Sequence, residues 1–410
     1  MRLSDKEQGM LDGIYGEAVQ RSLELLIAVG ESYDAETLLP VTSAHVLACN
    51  PPTAGKGGTL FYEEMSGSGG KFIIPTTTNP ACLDPWAWQE MGFDPGLYHA
   101  QMELTSVIAE MEAFLCHTCA PYLVGHAPRI GEHAAWGESS AVVYVNSVLG
   151  ARTNREGTPS ALAAGLTGRT PAYGYHLDKN RHGKLIVNVT AGLKGTTDYS
   201  TLGYFVGKIA QDKVPILNGI QPSVSQQELI ALGAGLASSG SVALYHAVGV
   251  TPEAPTAEIA AGSNKIGPSD TFEFCRKDLQ ETEESLCSIE AEASDLVILG
   301  CPHVNINQIR TYLGAFSGRK VKDHIDAWIL VQSGIKRYAK DLGYLDILES
   351  CGVRLVSNMC PSAAPVNYYR QKGYGGFATD SAKMCYLLSG AKQISAYYGK
   401  LESIVDAVSW

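Results

Sequence analysis

The feature of this sequence that most constrains its fold is a regular alternation of short apolar runs with helical patterns, clearest in the C-terminal half. Six apolar runs predict strands, over residues 185–191, 214–217, 242–248, 296–299, 327–331 and 353–357. Helical patterns lie between and after them at residues 203–211, 225–237, 307–316, 334–350 and 380–388. Strands that alternate with helices predict an α/β fold in which the sheets are largely parallel. Ligands of such folds bind at the carboxyl ends of the strands.

The length of the chain gives room for more than one hydrophobic core. Its 410 residues, of which 45% are hydrophobic and 18% charged, predict two or three globular domains. A loop near residues 180–184 and a proline-rich loop at 251–268 are the best places to divide the chain. We therefore expect three α/β regions, over residues 1–182, 183–262 and 263–410.

Charge and hydropathy exclude several classes of partner. The net charge of -11 at pH 7 argues against nucleic acid and anionic membrane surfaces, because both need clustered Lys and Arg. The most apolar stretch, residues 231–250, is rich in Gly and Ser and contains His246, so it predicts a helix and a buried strand rather than a membrane span. Ser4 and Glu7 predict a helix capping box in a polar N-terminus unlike a signal peptide, so we expect a cytoplasmic protein.

Cys119, Cys301 and Cys360 are each followed by proline within two residues. The last two follow apolar runs that predict buried strands ending in forced turns. Without an export segment, thiols or metal ligands are expected rather than disulfides. Three thiolates delivered from three strand ends suit an iron–sulfur cluster. His303 would either act on a departing hydroxyl group or hydrogen-bond the surroundings of that cluster.

The spacing of Cys116 and Cys119 leaves other chemistry open. A two-residue spacer also occurs in zinc ribbons and redox dithiols, although no second such pair follows at zinc-ribbon distance. A non-catalytic zinc-binding protein is therefore one alternative hypothesis. A redox enzyme that uses a cluster for electron transfer is another, but the sequence has no flavin or nicotinamide loop to support it.

The segment richest in polar groups runs from residue 131 to residue 157. Its centre predicts a helix over residues 139–149, whose free N–H groups would favour an anion. Arg152 and Arg155 follow this helix. Arginine binds carboxylates in a planar, bidentate manner, so this polar block is a candidate site for an acid substrate. The alternative is a solvated helix end whose arginines pair with Glu138 or Glu156.

Together these segments resemble the large, catalytic subunit of the aconitase X family, a divergent branch of the aconitase superfamily. The block from Glu138 to Gly157 is the most specific part. The stretches that carry the resemblance extend over almost the whole chain and are Gly-Glu17-Ala-Val, Pro75-Thr-Thr-Thr-Asn79-Pro80, Cys119-Ala-Pro121, Gly131-Glu-His, Glu138 to Ser160, Gly300-Cys-Pro-His303 and Cys360-Pro361.

The resemblance implies an aconitase-like, multi-domain body of three αβα layers that holds an iron–sulfur cluster, either 4Fe-4S or smaller. The matching cluster ligands are Cys119, Cys301 and Cys360. Three ligands leave one iron open to a substrate oxygen, which it can bind as a Lewis acid. The resemblance leaves open whether Cys82 or Cys116 also ligates metal, and no general base is evident.

The same resemblance implies a hydro-lyase, an enzyme that removes water without net redox change, and it suggests roles for the polar residues. The catalytic candidates are His303, Ser139 and Ser140. The candidate substrate contacts are Glu138, Asn146, Arg152, Thr153, Asn154, Arg155 and Lys383.

Two substrates are found in the family: cis-3-hydroxy-L-proline, and mevalonate 5-phosphate in a modified mevalonate pathway. Residues 151–160 are similar to the two-subunit forms, which include the phosphomevalonate enzymes, so mevalonate 5-phosphate is the expected substrate and hydroxyproline the alternative. A phosphate needs a further cation, for which Lys71, Arg181 and Lys383 are candidates. The swivelling domain of the superfamily is not evident before Trp410, so we expect a separate small subunit and a heterodimer.

Overall fold

A computed structural model of the chain describes all 410 residues, in seventeen α-helices and fourteen strands. The helices are Asp5–Leu11 (α1), Glu17–Ser32 (α2), Pro51–Gly67 (α3), Trp88–Met91 (α4), Pro95–Glu110 (α5), Ser139–Ser147 (α6), Thr158–Thr167 (α7), Gly195–Ala210 (α8), Gln226–Ser239 (α9), Ala257–Ala261 (α10), Arg276–Leu286 (α11), Ile306–Phe316 (α12), Ser333–Asp341 (α13), Tyr344–Ser350 (α14), Val366–Lys372 (α15), Ala382–Lys392 (α16) and Leu401–Val408 (α17). The strands are Leu38–Pro40 (β1), Ala44–Val46 (β2), Thr76–Thr78 (β3), Ala135–Trp136 (β4), Arg169–Pro171 (β5), Leu185–Val189 (β6), Pro215–Asn218 (β7), His246–Ala247 (β8), Thr271–Phe274 (β9), Leu296–Leu299 (β10), Asp326–Val331 (β11), Val353–Ser357 (β12), Gly376–Thr379 (β13) and Ser395–Tyr398 (β14).

Three parallel sheets follow one another along the chain. Their strand orders are β3-β2-β4, β8-β7-β6-β9 and β12-β11-β10-β13-β14, and β1 and β5 form a separate antiparallel pair. The predicted α/β fold with largely parallel sheets is confirmed. Strand β9 pairs with β6, so the second sheet extends past residue 262, where the expected second region ends.

Both faces of the five-stranded sheet are buried, which gives three layers. Along β10, Leu296 and Ile298 pack into one hydrophobic cluster, whereas Val297 and Leu299 pack into another on the opposite face. Successive strand residues point to opposite faces, so helices must cover both sides of this sheet. A continuous apolar run is the sequence pattern that such a strand requires.

Several predicted elements differ from the structure in their ends, such as α8, which begins at Gly195 rather than at residue 203, and two differ more strongly. The helix predicted over residues 334–350 is two helices, α13 and α14, because Gly343 between them adopts a left-handed conformation (φ 74°) that ends the first. The strand predicted over residues 242–248 is reduced to β8. Upstream of β8, side chains of α6 take the place of a pairing strand: Asn146 Nδ2 donates to the carbonyl of Ala243 (2.9 Å), and Ser147 Oγ accepts from the N–H of Tyr245 (2.9 Å).

The carboxyl ends of the first and third parallel sheets meet. The segment that follows β3 pairs with the segment that follows β12: the N–H of Ala81 donates to the carbonyl of Asn358 (2.8 Å), and the N–H of Cys360 donates to the carbonyl of Ala81 (2.9 Å). Strand ends from distant parts of the chain therefore share one region. None of the helices combines the length and the apolar character needed to cross a membrane.

Candidate active site

The segments that carry the three predicted cysteines converge where these two sheets meet. Cys119 follows Thr118, whose N–H donates to the carbonyl of Thr78 at the end of β3 (3.0 Å). Cys301 lies just beyond β10, and Cys360 lies beyond the turn that follows β12. The carboxyl ends of strands therefore deliver all three sulfurs to one region of the molecule.

His303 ties these segments together. Its backbone N–H donates to Cys119 Sγ (3.3 Å), while its ring nitrogens Nδ1 and Nε2 lie 3.0 Å from Thr118 Oγ1 and 2.9 Å from the carbonyl oxygen of Met359. A carbonyl can only accept, so Nε2 donates to it and Nδ1 accepts from the Thr118 hydroxyl. Burial lowers the pKa of His303 to about 4, which keeps the ring neutral. Both ring nitrogens are thus occupied within the protein, which favours hydrogen bonding around the cysteines over proton transfer to a substrate.

The three cysteines form one electrostatic group. All are half-buried free thiols. Burial raises the pKa of Cys301 to about 12, with the Lys383 ammonium opposing the shift and the neighbouring Cys360 adding to it. Burial, the carboxylate of Glu138 and the thiol of Cys301 raise the pKa of Cys119 well above its ordinary value. No three His, Cys, Asp or Glu side chains lie close enough together to hold a single metal ion.

A buried ion pair lies beside these sulfurs. Lys383 Nζ is 2.6 Å from Glu138 Oε1, and Glu138 Oε2 caps α6 by accepting from the N–H of Ala141 (2.6 Å). Burial opposes the charge on Glu138, but the Lys383 ammonium and the hydrogen bonds from Ala141 and Ser140 together hold the pKa of the carboxyl below its usual value. Burial likewise opposes the charge on Lys383, but Glu138, Cys301 and Cys119 raise its pKa. Both partners are therefore charged, and the ammonium acts directly on the cysteines.

Ser139 and Ser140 complete this hydrogen-bonded group. The Ser140 hydroxyl is buried; it donates to Glu138 Oε2 (2.8 Å) and accepts from Lys383 Nζ (2.8 Å). The Ser139 hydroxyl makes longer contacts with the same two side chains, 3.4 Å and 3.3 Å, and this residue is half-buried. Ser139 is therefore the serine that a substrate could reach. The structure brings four of the predicted residues together beside the three cysteines.

Asn146, Thr153 and Asn154 use their polar groups inside the protein. Asn146 Nδ2 donates to two backbone carbonyls (both 2.9 Å), and its Oδ1 accepts from the N–H of Thr153 (3.0 Å). The Thr153 hydroxyl accepts from the N–H of Trp136 (2.9 Å), and the Asn154 amide donates to one backbone carbonyl (3.2 Å) and accepts from one backbone N–H (2.8 Å). These contacts hold the segment after α6 in place, which differs from the predicted role in substrate binding.

The two predicted arginines have different surroundings. Arg152 Nη2 lies 2.5 Å from Asp178 Oδ1, and Nη1 donates to the carbonyl of His176 (3.2 Å). Its charge is thus neutralised by an acid from another segment. Arg155 is exposed and takes part in no side-chain hydrogen bond or ion pair. Of the two, Arg155 is the arginine whose charge remains available to a substrate.

The cations predicted for a phosphate are all paired. Arg181 is buried and lies 2.8 Å from Glu253, and Lys71 lies 3.7 Å from Glu112. Lys383 belongs to the buried ion pair described above. A phosphate would therefore have to compete with an existing carboxylate at each of these three positions.

Cys82 and Cys116, the two possible extra ligands, are buried and bonded within the protein. Cys82 Sγ lies 3.3 Å from Gln101 Oε1, and Cys116 Sγ lies 3.5 Å from the carbonyl oxygen of Thr78. Burial raises the pKa of Cys82 to about 12 and that of Cys116 to about 11. Both thiols are thus engaged by acceptors within the protein.

Sequence reasoning missed Asp380, which lies close to Cys301. Both residues line a cavity of about 10 Å³, which is room for about one water molecule. The Tyr312 hydroxyl donates to Asp380 Oδ2 (2.6 Å), and burial raises the pKa of Asp380 to about 6. Its position directly after β13 could have identified Asp380 as a candidate, but the helix predicted over residues 380–388 included this residue.

Sequence reasoning also missed His45, Asn79 and His126. Each has a nitrogen or oxygen atom buried in the interior: His45 Nε2, Asn79 Oδ1 and His126 Nε2. The Asn79 side chain is close enough to hydrogen-bond His45, which opposes the lowering of the pKa of His45 by burial. The charge of Glu138 acts on His45, which places this group beside the candidate site. His45 lies within β2 and Asn79 directly follows β3, so their positions at the ends of parallel strands were the available signal.

Known proteins match the chain over its whole length. Family models of the first, second and third domains of aconitase X match residues 1–179, 183–284 and 294–409. The phosphomevalonate dehydratase large subunit of Methanothermobacter thermautotrophicus is 41% identical, over 97% of this chain and 96% of that protein. The cis-3-hydroxy-L-proline dehydratase of Hypocrea jecorina is 32% identical over 99% of this chain, which corresponds to 68% of the fungal protein.

A solved structure agrees equally well. The crystal structure of Thermococcus kodakaraensis aconitase X in its holo-form superposes with a TM-score of 0.90 and 34% sequence identity, and the match covers 100% of both chains. The aconitase-like fold expected from the sequence is thereby confirmed. Agreement of sequence and fold along the entire length shows that the chain belongs to the aconitase X family.

Proposed function

We propose that this chain is the large, catalytic subunit of an iron–sulfur-dependent hydro-lyase that removes water from mevalonate 5-phosphate. The relatives described above are named dehydratases, and dehydratases are hydro-lyases. The single observation that carries the proposal is the meeting of three half-buried cysteines with the buried Lys383–Glu138 ion pair. Nothing in a purely structural core requires a cation beside three thiols.

The proposed cluster ligands are Cys119, Cys301 and Cys360. They are free thiols that influence one another electrostatically, and cysteine thiolates are the usual ligands of iron–sulfur clusters. The Lys383 ammonium would offset part of the negative charge that three thiolates carry. When bound, a cluster with one iron free of protein ligands supplies a Lewis acid for a substrate oxygen.

The chain's own residues would bind and orient the substrate. Ser139, the accessible serine, can donate to or accept from a substrate oxygen, while Ser140 fixes the position of Lys383. Glu138 already accepts from Lys383, Ser140 and a backbone N–H, and both ring nitrogens of His303 are bonded. Neither group is free to take a proton from carbon, so we place the general base on a partner subunit.

Two observations favour mevalonate 5-phosphate over cis-3-hydroxy-L-proline. The phosphomevalonate relative is 41% identical and matches this chain end to end, whereas the hydroxyproline relative is 32% identical and longer than the match. Mevalonate 5-phosphate also carries two anionic groups, so its site needs an unpaired cation, and Arg155 is one. We assign the contact with one of these anionic groups to Arg155.

A separate small subunit would complete the site in a heterodimer. The closely similar proteins are named large subunits, and the hydroxyproline dehydratase has additional length that this chain does not match. The swivelling domain of the superfamily is the expected content of that subunit. All ten cysteines are free thiols, which fits a reducing compartment such as the cytoplasm.

The cluster is tested by metal analysis of single-cysteine variants. The chain, co-expressed with its small subunit and purified without oxygen, should contain iron and sulfide and absorb visible light. Cys119→Ser, Cys301→Ser and Cys360→Ser should each lose most of the iron. Cys116→Ser is the matched control, because it lies three residues from Cys119 and should keep its iron. Stoichiometric zinc, or equal iron in all four variants, would contradict the proposal.

The substrate is tested by assaying loss of water from both candidate acids with the same preparation. We expect formation of a carbon–carbon double bond from mevalonate 5-phosphate and little or none from cis-3-hydroxy-L-proline. The opposite preference would establish the alternative substrate. A preparation that contains iron but dehydrates neither acid would refute the proposed reaction while leaving the cluster intact.

A further inference from the structure

A polar cleft lies between helices at the carboxyl ends of the second and third parallel sheets. Its volume is about 480 Å³, and Leu401 is the only apolar residue that lines it. Helix α8 begins at this cleft after strand β6, and helix α17 begins there after strand β14. Thr196, in the first turn of α8, also lines the small cavity beside Cys301. The cleft therefore adjoins the candidate active site but contains none of the residues assigned to it above.

Both of these helices begin without a side-chain cap. The N-cap residues of α8 and α17 are Lys194 and Lys400, whose ammonium groups cannot accept a hydrogen bond. The first three N–H groups of each helix, at residues 195–197 and 401–403, donate to no acceptor in the protein. The neighbouring helices α9 and α12 differ, because the side chains of Ser225 and Asn305 cap them. Six N–H groups and the positive ends of two helix dipoles are therefore left without a partner.

The Thr197 side chain is an independent sign of a ligand. This residue lines the cleft but is only 5% exposed. Its carbonyl oxygen accepts from the hydroxyl groups of Thr201 and Tyr398 (both 2.9 Å), which fixes its backbone. Its own hydroxyl group hydrogen-bonds no other group of the protein, although buried hydroxyl groups are normally paired. A fixed, buried and unpaired donor beside two uncapped helices indicates a place that an acceptor fills.

The charges that line the cleft favour an anion. The cations are Lys194 and Lys400, and the anions are Glu228 and Glu402. These side-chain charges balance, so the two helix ends give the cleft its positive potential. Glu228 Oε2 also accepts from the N–H of Ser225 (2.7 Å), which occupies part of this carboxylate in the capping of α9. Lys194 is exposed and belongs to no ion pair, so its charge is available to a ligand.

Lys400 additionally faces a buried acid that does not line the cleft. Its Nζ lies 3.3 Å from Asp198 Oδ1. The other oxygen of Asp198 lies 3.9 Å from Arg276 and accepts from the backbone N–H of Lys194 (2.9 Å). Asp198 therefore has partners besides Lys400, and Lys400 can approach an anion in the cleft without leaving that carboxylate unpaired.

We propose that this cleft binds a phosphate group. A phosphate group presents three strong acceptor oxygens, and helix N-termini are common binding sites for it. A carboxylate has only two oxygens for the donors of two helices, Thr197 and Lys194. A neutral alcohol would bring a proton to a place where the protein offers donors. The phosphate group belongs either to mevalonate 5-phosphate, which rests on the proposed function, or to a separate phosphate compound, which does not.

Inorganic phosphate is the probe, titrated by calorimetry into the complex of this chain with its small subunit. Thr197→Val removes the unpaired hydroxyl group at nearly constant volume, and Lys194→Gln removes the free charge. Each should weaken the binding of phosphate by about three- to tenfold, because each removes one hydrogen bond or charged contact. Lys265→Gln changes another exposed lysine that belongs to no ion pair, so this control should bind phosphate as the wild type does.

Thermal melts give a second measurement of the same binding. Phosphate should raise the thermal midpoint of the wild-type complex and of the Lys265→Gln complex, and it should raise that of Thr197→Val and Lys194→Gln less. The proposal would be overturned if about 20 mM phosphate neither bound nor stabilised the wild-type complex. It would also be overturned if all three variants bound phosphate as tightly as the wild type.

Mevalonate 5-phosphate and mevalonate distinguish the two sources of the phosphate group. If the substrate supplies it, Thr197→Val should weaken the binding of mevalonate 5-phosphate but not of mevalonate, and inorganic phosphate should compete with mevalonate 5-phosphate. If a separate compound supplies it, inorganic phosphate and mevalonate 5-phosphate should bind at the same time, and Thr197→Val should weaken only the binding of inorganic phosphate. Either result supports a phosphate site in this cleft.

Failure of this site can be told apart from failure of the proposed function. Calorimetry needs no turnover, so the binding of inorganic phosphate decides the site even if the complex dehydrates neither acid. Conversely, a complex that dehydrates mevalonate 5-phosphate but binds phosphate equally well in every variant would retain the proposed reaction and exclude the site.

Discussion

Breaking the Lys383–Glu138 ion pair should cost far more than breaking an exposed pair. Both side chains are less than a tenth exposed, and the ammonium is the only counterion that the Glu138 carboxylate has in the interior. Lys383→Met keeps most of the volume of the side chain but leaves that carboxylate without a counterion. Removing one partner of a buried pair costs about 3–5 kcal/mol, so we expect a loss of that size in the free energy of unfolding.

A double variant and a surface pair supply the controls. In Lys383→Met/Glu138→Gln the buried charge is gone and the amide oxygen can still accept from Ala141, so this variant should recover about 2 kcal/mol or more relative to Lys383→Met alone. The exposed Arg337–Asp341 pair on α13 is the comparison, with side chains 77% and 55% exposed. Arg337→Met should change the stability by about 0.5 kcal/mol or less.

Urea denaturation followed by far-UV circular dichroism at pH 7.5 and pH 5 measures these differences. In the wild type the folded-state pKa of Glu138 is lowered, so its contribution to stability is present at pH 7.5 and declines as the pH falls toward that pKa. In Lys383→Met, only the hydrogen bonds from Ala141 and Ser140 still oppose burial, so the pKa of Glu138 should rise and acid should relieve the defect. This reasoning would be refuted if Lys383→Met lost less than about 1 kcal/mol, or lost the same amount at both pH values. It would also be refuted if the losses of the two single variants added up to the loss of the double variant.

Three further outcomes are expected. The folded-state pKa of His45 is about 3, which is below that of the unfolded chain, so His45 lowers the stability as the pH falls below about 6.5. This cost reaches about 2 kcal/mol at pH 5. His45→Gln should therefore reduce by that amount the difference between the free energies of unfolding in urea at pH 7.5 and pH 5. Arg155→Gln should raise KM for the acid substrate about tenfold or more and leave the stability unchanged. Arg152→Gln, which breaks an ion pair, should instead lower the thermal midpoint and have less effect on KM. Equal KM values in the two variants would contradict the assignment of substrate binding to Arg155. Gly343→Ala should destabilise the protein by about 1–2 kcal/mol because Gly343 has a left-handed backbone conformation. Gly314→Ala, in the interior of α12, should stabilise it by up to about 1 kcal/mol. If thermal melts showed stability changes of the same sign for both variants, they would argue against the break between α13 and α14.

The third sheet was only partly predictable from the sequence. Strands β10, β11 and β12 are apolar runs buried on both faces, and a pattern of that kind is visible without a structure. Strands β13 and β14 are four residues long, and β13 begins at a glycine. A side chain at Gly376 would meet the carbonyl oxygen of Ala293 at 2.7 Å, so close backbone approach selects glycine there. A residue chosen for space rather than for hydropathy gives no strand pattern.

The polar block shows why residue types alone do not assign roles. Glu138, Ser139 and Ser140 meet Lys383, which is more than two hundred residues away in the chain. Asn146, in the same block, instead bonds to backbone groups on neighbouring segments. An asparagine that binds a substrate and one that supports a loop have the same letter and spacing. The two roles differ in the group that the side chain hydrogen-bonds, and that group is set by the tertiary structure.

The bridge that His303 makes between Thr118 and Met359 has a consequence for biosynthesis. More than half of the chain separates Cys119 from Cys360, so the ribosome delivers the first sulfur long before the last. Closing a loop of that length is slow and depends on non-local docking. Any cofactor that requires all three sulfurs must therefore bind after Cys360 has been synthesised, when the segments that carry Cys119 and Cys360 have already docked together.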